Sequence, residues 1–324
     1  LLRWLAWGTG VLMLVTAHAI EARWSAALVL GLAQVQSLMT SPTWGLSNTI
    51  ILAELREPSR EFGPLRACAT FGWMVGGWLV SLVLHADTST LAAYSAAGFW
   101  LFLGALTWML HERPPADQRT DRSWREILGL DALTLLRHRE HRIVFITAAL
   151  YSAPLAAFYA YSPPHLRDLG VEAATAVMSL GQITEVLVML VLAGLLARVR
   201  LKWVFISGIG FGLARYFIFT TDERGWVIAG IVLHGLAYTL YFITLQIYLE
   251  DRIDPRWRSR AQALLTLLTG GVGHLAGMLG SGWWHAICSN GDHTDWPRFW
   301  TGLWIATAVV FAFFALTYKG RRTA

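Results

Sequence analysis

The sequence predicts an all-α, polytopic membrane protein, a bundle of about ten transmembrane helices. Three observations carry this. Hydrophobic residues make up 55% of the 324 and charged residues only 15%, against about 45–50% and about 25% in soluble domains, and mean hydropathy is +0.48. Apolar stretches of about 20 residues, the length that spans a hydrocarbon core, recur along the chain. Of the 26 Lys and Arg, 21 fall in alternate loops and chain ends and only 4 in the others, as expected of a chain that crosses a membrane at each alternation.

The first apolar segment, Leu1–Ala19, carries no small-residue cleavage site and runs straight on into further membrane segments, which argues against a secretory leader. A chain that opens on Leu inside a span is expected to be a fragment or a reading frame begun late. Ser25–Leu52, Ala67–His85 and Leu91–Leu110 complete a first group of four spans. Pro42 is expected to bend the second near Asn48. The polar stretch Glu112–Arg142 comes next, with Pro114, Pro115 and an amphipathic segment, Trp124–Leu136, expected to lie along the membrane. It is the natural linker.

Six more spans complete the chain: Val144–Tyr161, Ala174–Leu196, Trp203–Thr220, Trp226–Leu249, Ala261–Ile287 and Phe299–Tyr318. The pair Pro163–Pro164 is expected to break the first of these at the outer surface, because proline removes a backbone donor and clashes with the preceding turn. The domain organisation expected is a four-span half over residues 1–111, the linker over 112–142 and a six-span half over 143–324. Most of the 17 Trp lie near span ends, where they anchor at the interface.

The charge split places the basic loops and both chain ends in the cytoplasm; an inner, cytoplasmic membrane is expected. The lipid bilayer is thus a partner. The net charge of +5 sits at helix ends and does not point to nucleic acid. Cys68 and Cys288 form neither a CxxC nor a metal pattern and are expected as packing residues. No nucleophile elbow, HExxH, P-loop or paired catalytic carboxylates occur. No catalytic residue, metal site or cofactor is therefore expected, and the chain is not read as an enzyme.

Glu185 is the informative residue. It lies mid-span, in a run with no other charge after Glu172. A carboxylate at a bilayer centre costs roughly 2.5–3.5 kcal/mol on insertion scales, so such residues usually face a cavity or a pathway. Gln182, one turn earlier, shares its face. A carboxylate and an amide together suit hydroxyls and heterocycle edges, and Glu185 can also carry a proton. The plainer alternative is a structural hydrogen bond to a neighbouring helix. Arg66, Thr70 and Trp73, spaced by four and three, align a cation, a hydroxyl and a flat ring. On sequence alone the plainer reading, Arg66 as a positive-inside anchor and Trp73 as packing, is slightly preferred. Arg215, mid-span, needs a partner or water. His234 and Tyr238 lie four apart, with Gln246 two turns on, and His274 sits in a glycine-rich helix that suits close packing. A lone His is more often a packing residue than a ligand.

Arg66-Ala67 and Gly76-Gly77 recur as Arg260-Ala261 and Gly270-Gly271 at a constant offset of 194. Parallel repeats of this kind mark the two halves of major facilitator proteins. Together with the stretches Phe62–Arg66 running into Ala69–Gly72, Ser179–Glu185, Leu201–Val204 through Leu213–Arg215, His234–Gly235 through Gln246–Tyr248, and Ser259–Gln262 through Gly271–Gly273, the chain resembles the nucleoside:proton symporter family of the major facilitator superfamily.

The resemblance implies a helical bundle of two six-helix halves with its first two helices absent here. It implies a central cavity that binds nucleosides and coupling of import to protons. Substrate-binding positions would fall on Arg66, Thr70, Trp73, Gln182, Glu185 and Tyr238, with His234 nearby, and Glu185 would couple the proton. Two departures stand out. Thr239 stands where the family carries a carboxylate, and Ala156 and Tyr159 stand at polar positions of the first helix of the second half. The alternatives are a carrier of a sugar or other polar metabolite and a transport-inactive membrane fragment.

Overall fold

The computed structural model describes residues 1–55, 58–109, 130–291 and 293–320. Helices occupy all ten expected spans. Among the described residues, eight segments are long and apolar enough to cross a membrane by length and composition, from Leu65–Val83 to Trp296–Thr317. The first two helices are not among those eight, so for them the expected total of ten rests on sequence. Contacts divide the chain into two units, Leu1–Arg56 with Trp78–Ser123, and Glu57–Gly77 with Trp124–Ala324.

In the first unit, α1 (Leu2–Glu21) packs against both α2 (Ala26–Glu54) and α4 (Leu91–Leu106). Small residues set the closeness. A Cβ on Gly10 would sit 2.8 Å from Leu101, and one on Gly104 would sit 2.8 Å from the Trp7 ring. With no hydrophobic drive between helices in lipid, this close approach is what holds them. Thr9 and Thr40 bridge α1 and α2 through their hydroxyls at 3.3 Å. At the end of α1, Glu21 accepts hydrogen bonds from Thr90 and Tyr94, 2.5 and 2.9 Å long, which tie it to the start of α4. These bonds also hold the Glu21 carboxyl below its ordinary range. Pro42 lies inside α2, which runs on past it.

The second unit contains α3 (Pro58–Trp78) up to Gly77, then α5 (Arg139–Asp168), α6 (Ala174–Arg198), α7 (Leu201–Phe219), α8 (Arg224–Tyr238) and α9 (Thr244–Arg252). α10 (Arg258–Thr266), α11 (His274–Cys288), a two-residue hairpin of β1 (Ser289–Asn290) with β2 (His293–Thr294), and α12 (Trp296–Thr317) complete it. Two long spans carry a π-helical turn mid-way, Thr239–Ile243 between α8 and α9 and Leu267–Gly273 between α10 and α11. Such turns leave the regular ladder and recur at functional sites. Gly273 and Gly277 press against the α5 backbone at Ala149 and Ala153, whereas Gly270 and Gly280 face open space. The glycine-rich helix therefore uses only part of its small face for packing.

One expectation is corrected. Pro163 and Pro164 do not end the helix, because α5 runs unbroken to Asp168 with Pro154, Pro163 and Pro164 inside it. The lost backbone bonds fall in the penultimate turn, and side chains anchor the last one. His165, fully buried, holds Asp222 at 2.7 Å through Nε2 and accepts from Trp300 Nε1 at 2.9 Å. Trp296 Nε1 donates to Asp168 at 2.8 Å. The helix closes just beyond, where Gly170 adopts φ +76. Most of the linker Glu112–Arg142, including the first part of Trp124–Leu136, lies outside the described residues; its described part opens with a 3-10 turn, Leu130–Arg137. Of the two cysteines, Cys288 is buried in an apolar cluster with Phe299 and Trp300, while Cys68 is exposed.

Candidate functional site

The site begins with two glycines. α6 and α8 cross where Gly181 faces His234 and Gly235 faces the backbone of Gly181, Thr184 and Glu185. A Cβ on Gly235 would collide with the Glu185 amide and the Gly181 carbonyl. This contact brings the α6 face bearing Gln182 and Glu185 beside the α8 face bearing His234 and Tyr238. Thr239, at the start of the π-helical turn, donates to the Glu185 carbonyl at 3.4 Å.

Glu185 and Gln182 are both buried, 5% and 3% exposed. Thr70, also buried, donates its hydroxyl hydrogen to Glu185 Oε1 at 3.0 Å, so α3 supplies a partner to α6. A hydrogen bond to a charged acceptor contributes about 1.5–3 kcal/mol. Arg66, one turn before Thr70, acts electrostatically on Glu185 and hydrogen-bonds the Tyr238 hydroxyl. Around it Ala67 packs with Met189, Leu192, Leu240 and Ile243, which fixes the register of α3 against α6 and α8. Among the described residues, the buried Gln182 Oε1 has no hydrogen-bond partner. The structure thus brings together Arg66, Thr70, Gln182, Glu185 and Tyr238. Trp73, one turn further along α3, is 49% exposed.

Behind the cluster lies a second layer. Arg215 is 1% exposed. Its Nη1 donates to His234 Nδ1 at 2.7 Å and its Nη2 donates to the Tyr216 hydroxyl at 2.8 Å. Tyr216 in turn donates to the Pro154 carbonyl. The guanidinium lies over the rings of Phe158 and Tyr216, 4.1 and 4.5 Å from their centroids. No carboxylate pairs with it among the described residues. A buried cation is costly unless its bonds are met; here two aromatic faces and two neutral acceptors serve the Nη groups, while the buried Nε has no hydrogen-bond partner among the described residues. His234 is fully buried and stacks on Phe158 at 4.6 Å, and its Nε2 meets the Tyr159 hydroxyl at 2.9 Å. Both of its ring nitrogens are engaged, so it stands behind Tyr159 rather than beside open space.

Tyr159 itself is half-buried and shares its surroundings with Tyr238 and Glu185. The sequence marked it only as a departure from a family pattern. The signal that could have found it was the unpaired cation Arg215, whose neighbours have to be polar or aromatic.

Long apolar helices with a carboxylate, an amide and a guanidinium buried mid-helix fit a multi-pass membrane transporter. The fold is of major facilitator type: it matches the crystal structure of the nucleoside transporter NupG with a TM-score of 0.80 at 24% sequence identity, over 98% of this chain and 83% of that one. The chain belongs to the nucleoside H+ symporter family, whose pattern matches residues 4–322. It is 31% identical to YegT of Escherichia coli strain K12, a protein named as a putative nucleoside transporter, over 296 residues, 87% of this chain and 69% of that protein. It is 28% identical to the xanthosine permease of the same organism over 307 residues, 88% of this chain and 73% of the permease.

Proposed function

We infer that the protein imports nucleosides together with protons by alternating access, with Glu185 as the proton-carrying group. Family membership supplies the reaction class. The observation that supports the role of Glu185 is its placement: a buried carboxylate, held by Thr70 and under the field of Arg66, beside the buried unmet amide oxygen of Gln182. When ionised, Glu185 accepts from Thr70 and is attracted to Arg66. When protonated, it becomes a donor and its hold on Arg66 weakens. A single proton therefore changes both what the site offers a solute and what tethers α3 to α6. Arg66, Thr70, Gln182 and Tyr238 are the groups that contact the nucleoside in this reading, and Trp73 offers it a ring face.

The names of the relatives support nucleosides as the solute class, one of them a purine nucleoside, xanthosine. The charge split supports the basic loops and both chain ends lying on the cytoplasmic side, and the family supports an inner membrane. The test is uptake of labelled nucleosides into vesicles carrying the protein, with and without an imposed inward proton gradient. Accumulation above equilibrium only with the gradient is the expected result. Equal uptake in both conditions would remove the proton from the mechanism, and no uptake of any nucleoside would remove the solute class.

A further inference from the structure

Hydrogen-bond direction is fixed along the path from Arg215 to the site. A guanidinium has donors only, so His234 Nδ1, 2.7 Å from Arg215 Nη1, has to accept. His234 is therefore neutral, since a protonated ring would offer no acceptor there. Its single hydrogen sits on Nε2, and the atom that receives it is the Tyr159 hydroxyl oxygen, 2.9 Å away. Phe158 locks this arrangement from one side, stacked on His234 with an interplanar angle of 14° and lying under the guanidinium. The Tyr159 oxygen thus spends a lone pair on His234, and its own proton has no acceptor among the described residues. Tyr159 as a residue is half-buried, and Glu185 and Tyr238 act electrostatically on its hydroxyl.

We propose that Tyr159 is a specificity-determining residue whose hydroxyl donates to an acceptor atom of the solute, and that Arg215 and His234 are positioning residues that fix that direction. The proposal rests on the nucleoside reading above. It assigns the solute a ring nitrogen or carbonyl oxygen facing Tyr159. A group that can only donate at that place, such as an N–H, would meet a hydroxyl whose favoured lone pair is already taken. A buried polar pair left unmade is what gives sites of this kind their discrimination.

The experiment measures binding of nucleosides to the purified protein in detergent, alongside analogues that each lack one acceptor, such as 7-deaza and 3-deaza purine nucleosides and a pyrimidine nucleoside with one carbonyl removed. Tyr159→Phe keeps the ring and deletes the proton. The expected result is a roughly 2–10-fold weakening for the parent nucleoside, the range of one hydrogen bond, and no weakening for the one analogue whose missing acceptor is the partner. Arg215→Lys, which still donates to His234, keeps the preference for parent over that analogue; Arg215→Met, which frees the imidazole to take either tautomer, loses it. A merely structural role would lower the amount of folded protein and weaken all ligands alike. Equal losses across every analogue in Tyr159→Phe, or no loss at all, overturn the proposal, and this variant decides alone if Arg215→Met does not fold. If the wild-type protein binds no nucleoside, the transport reading falls first and this assignment with it.

Discussion

Thr70 and Glu185, 115 positions apart in sequence, are joined by a buried hydrogen bond of 3.0 Å, with the threonine hydroxyl donating to the carboxylate. The bond makes the protonation of one residue on α6 visible to another helix. Thr70→Val keeps the shape and deletes the donor. Loss of a bond to a charged acceptor costs about 1.5–3 kcal/mol, and about 1.4 kcal/mol corresponds to one pH unit in a titration. The donor favours the ionised carboxylate, so without it the proton binds at higher pH. A protonated carboxyl still accepts from Thr70, so that range is an upper bound: Thr70→Val is expected to move the pH dependence of proton-driven uptake upward by no more than about one to two pH units, and Thr70→Ser to leave it near the wild-type position. Identical profiles for wild type, Thr70→Ser and Thr70→Val would show that the bond is idle.

Affinity gives a second readout of the same bond. With uptake saturated in protons, the nucleoside concentration for half-maximal exchange is expected to rise in Thr70→Val and to stay near the wild-type value in Thr70→Ser, because serine restores the hydroxyl that orients the carboxylate.

Gly235 decides whether α6 and α8 can cross at all. A Cβ there would meet backbone atoms of Gly181, Thr184 and Glu185, none of which is the far end of a flexible side chain. Overpacking of this kind costs about 1–3 kcal/mol, occasionally more. Gly235→Ala is expected to lower the thermal stability of the purified protein and to impair transport. Gly225→Ala, on the same helix with nothing within 4 Å of the added atom, is the control and should do neither. Equal stability of the two variants would show that the crossing tolerates a wider spacing.

Much of the bundle was legible because membrane helices announce themselves by length, apolarity and the charge of their ends. Glu185 and Gln182 stood out for the same reason, as polar groups in an apolar run. Long-range partnerships were not legible. Helical spacing put Arg66 and Thr70 on one face but could not say that the face meets Glu185 rather than lipid. Nor could it tell that Trp73 on that face stands exposed. Pro163 and Pro164 misled because the side chains that anchor the helix end, Asp222 and Trp300, come from far along the chain. Tyr159 escaped because Arg215 signalled only that polar or aromatic neighbours must lie near it, not that His234 links it to Tyr159.

The charge split makes a topological expectation that can be checked at described, exposed loop positions. In a variant with Cys68 and Cys288 replaced, Glu223→Cys lies on the loop between α7 and α8, and Asp254→Cys lies on the basic loop after α9. A membrane-impermeant thiol reagent should label Glu223→Cys in intact cells and Asp254→Cys only after permeabilisation. The reverse pattern would invert the assignment of the basic loops to the cytoplasm.

Glu185→Gln tests the proton role most directly. The substitution keeps size and the acceptor that Thr70 uses, but removes the group that can take up and release a proton. If Glu185 carries the proton, gradient-driven accumulation should be abolished in Glu185→Gln. Exchange of internal for external nucleoside, which needs binding and rocking but no net proton movement, should survive at least in part. If Glu185 only holds the solute, both modes should fall together, as they should in Gln182→Ala. Thr239 sharpens the outcome: its hydroxyl donates to the Glu185 backbone carbonyl and has no titrating group to substitute for the carboxylate. His234 cannot substitute either while Arg215 donates to its Nδ1, because that bond requires a neutral ring. Unchanged gradient-driven uptake in Glu185→Gln would therefore leave Glu185 as a packing residue joined to Thr70 and send the search for the proton site to other helices.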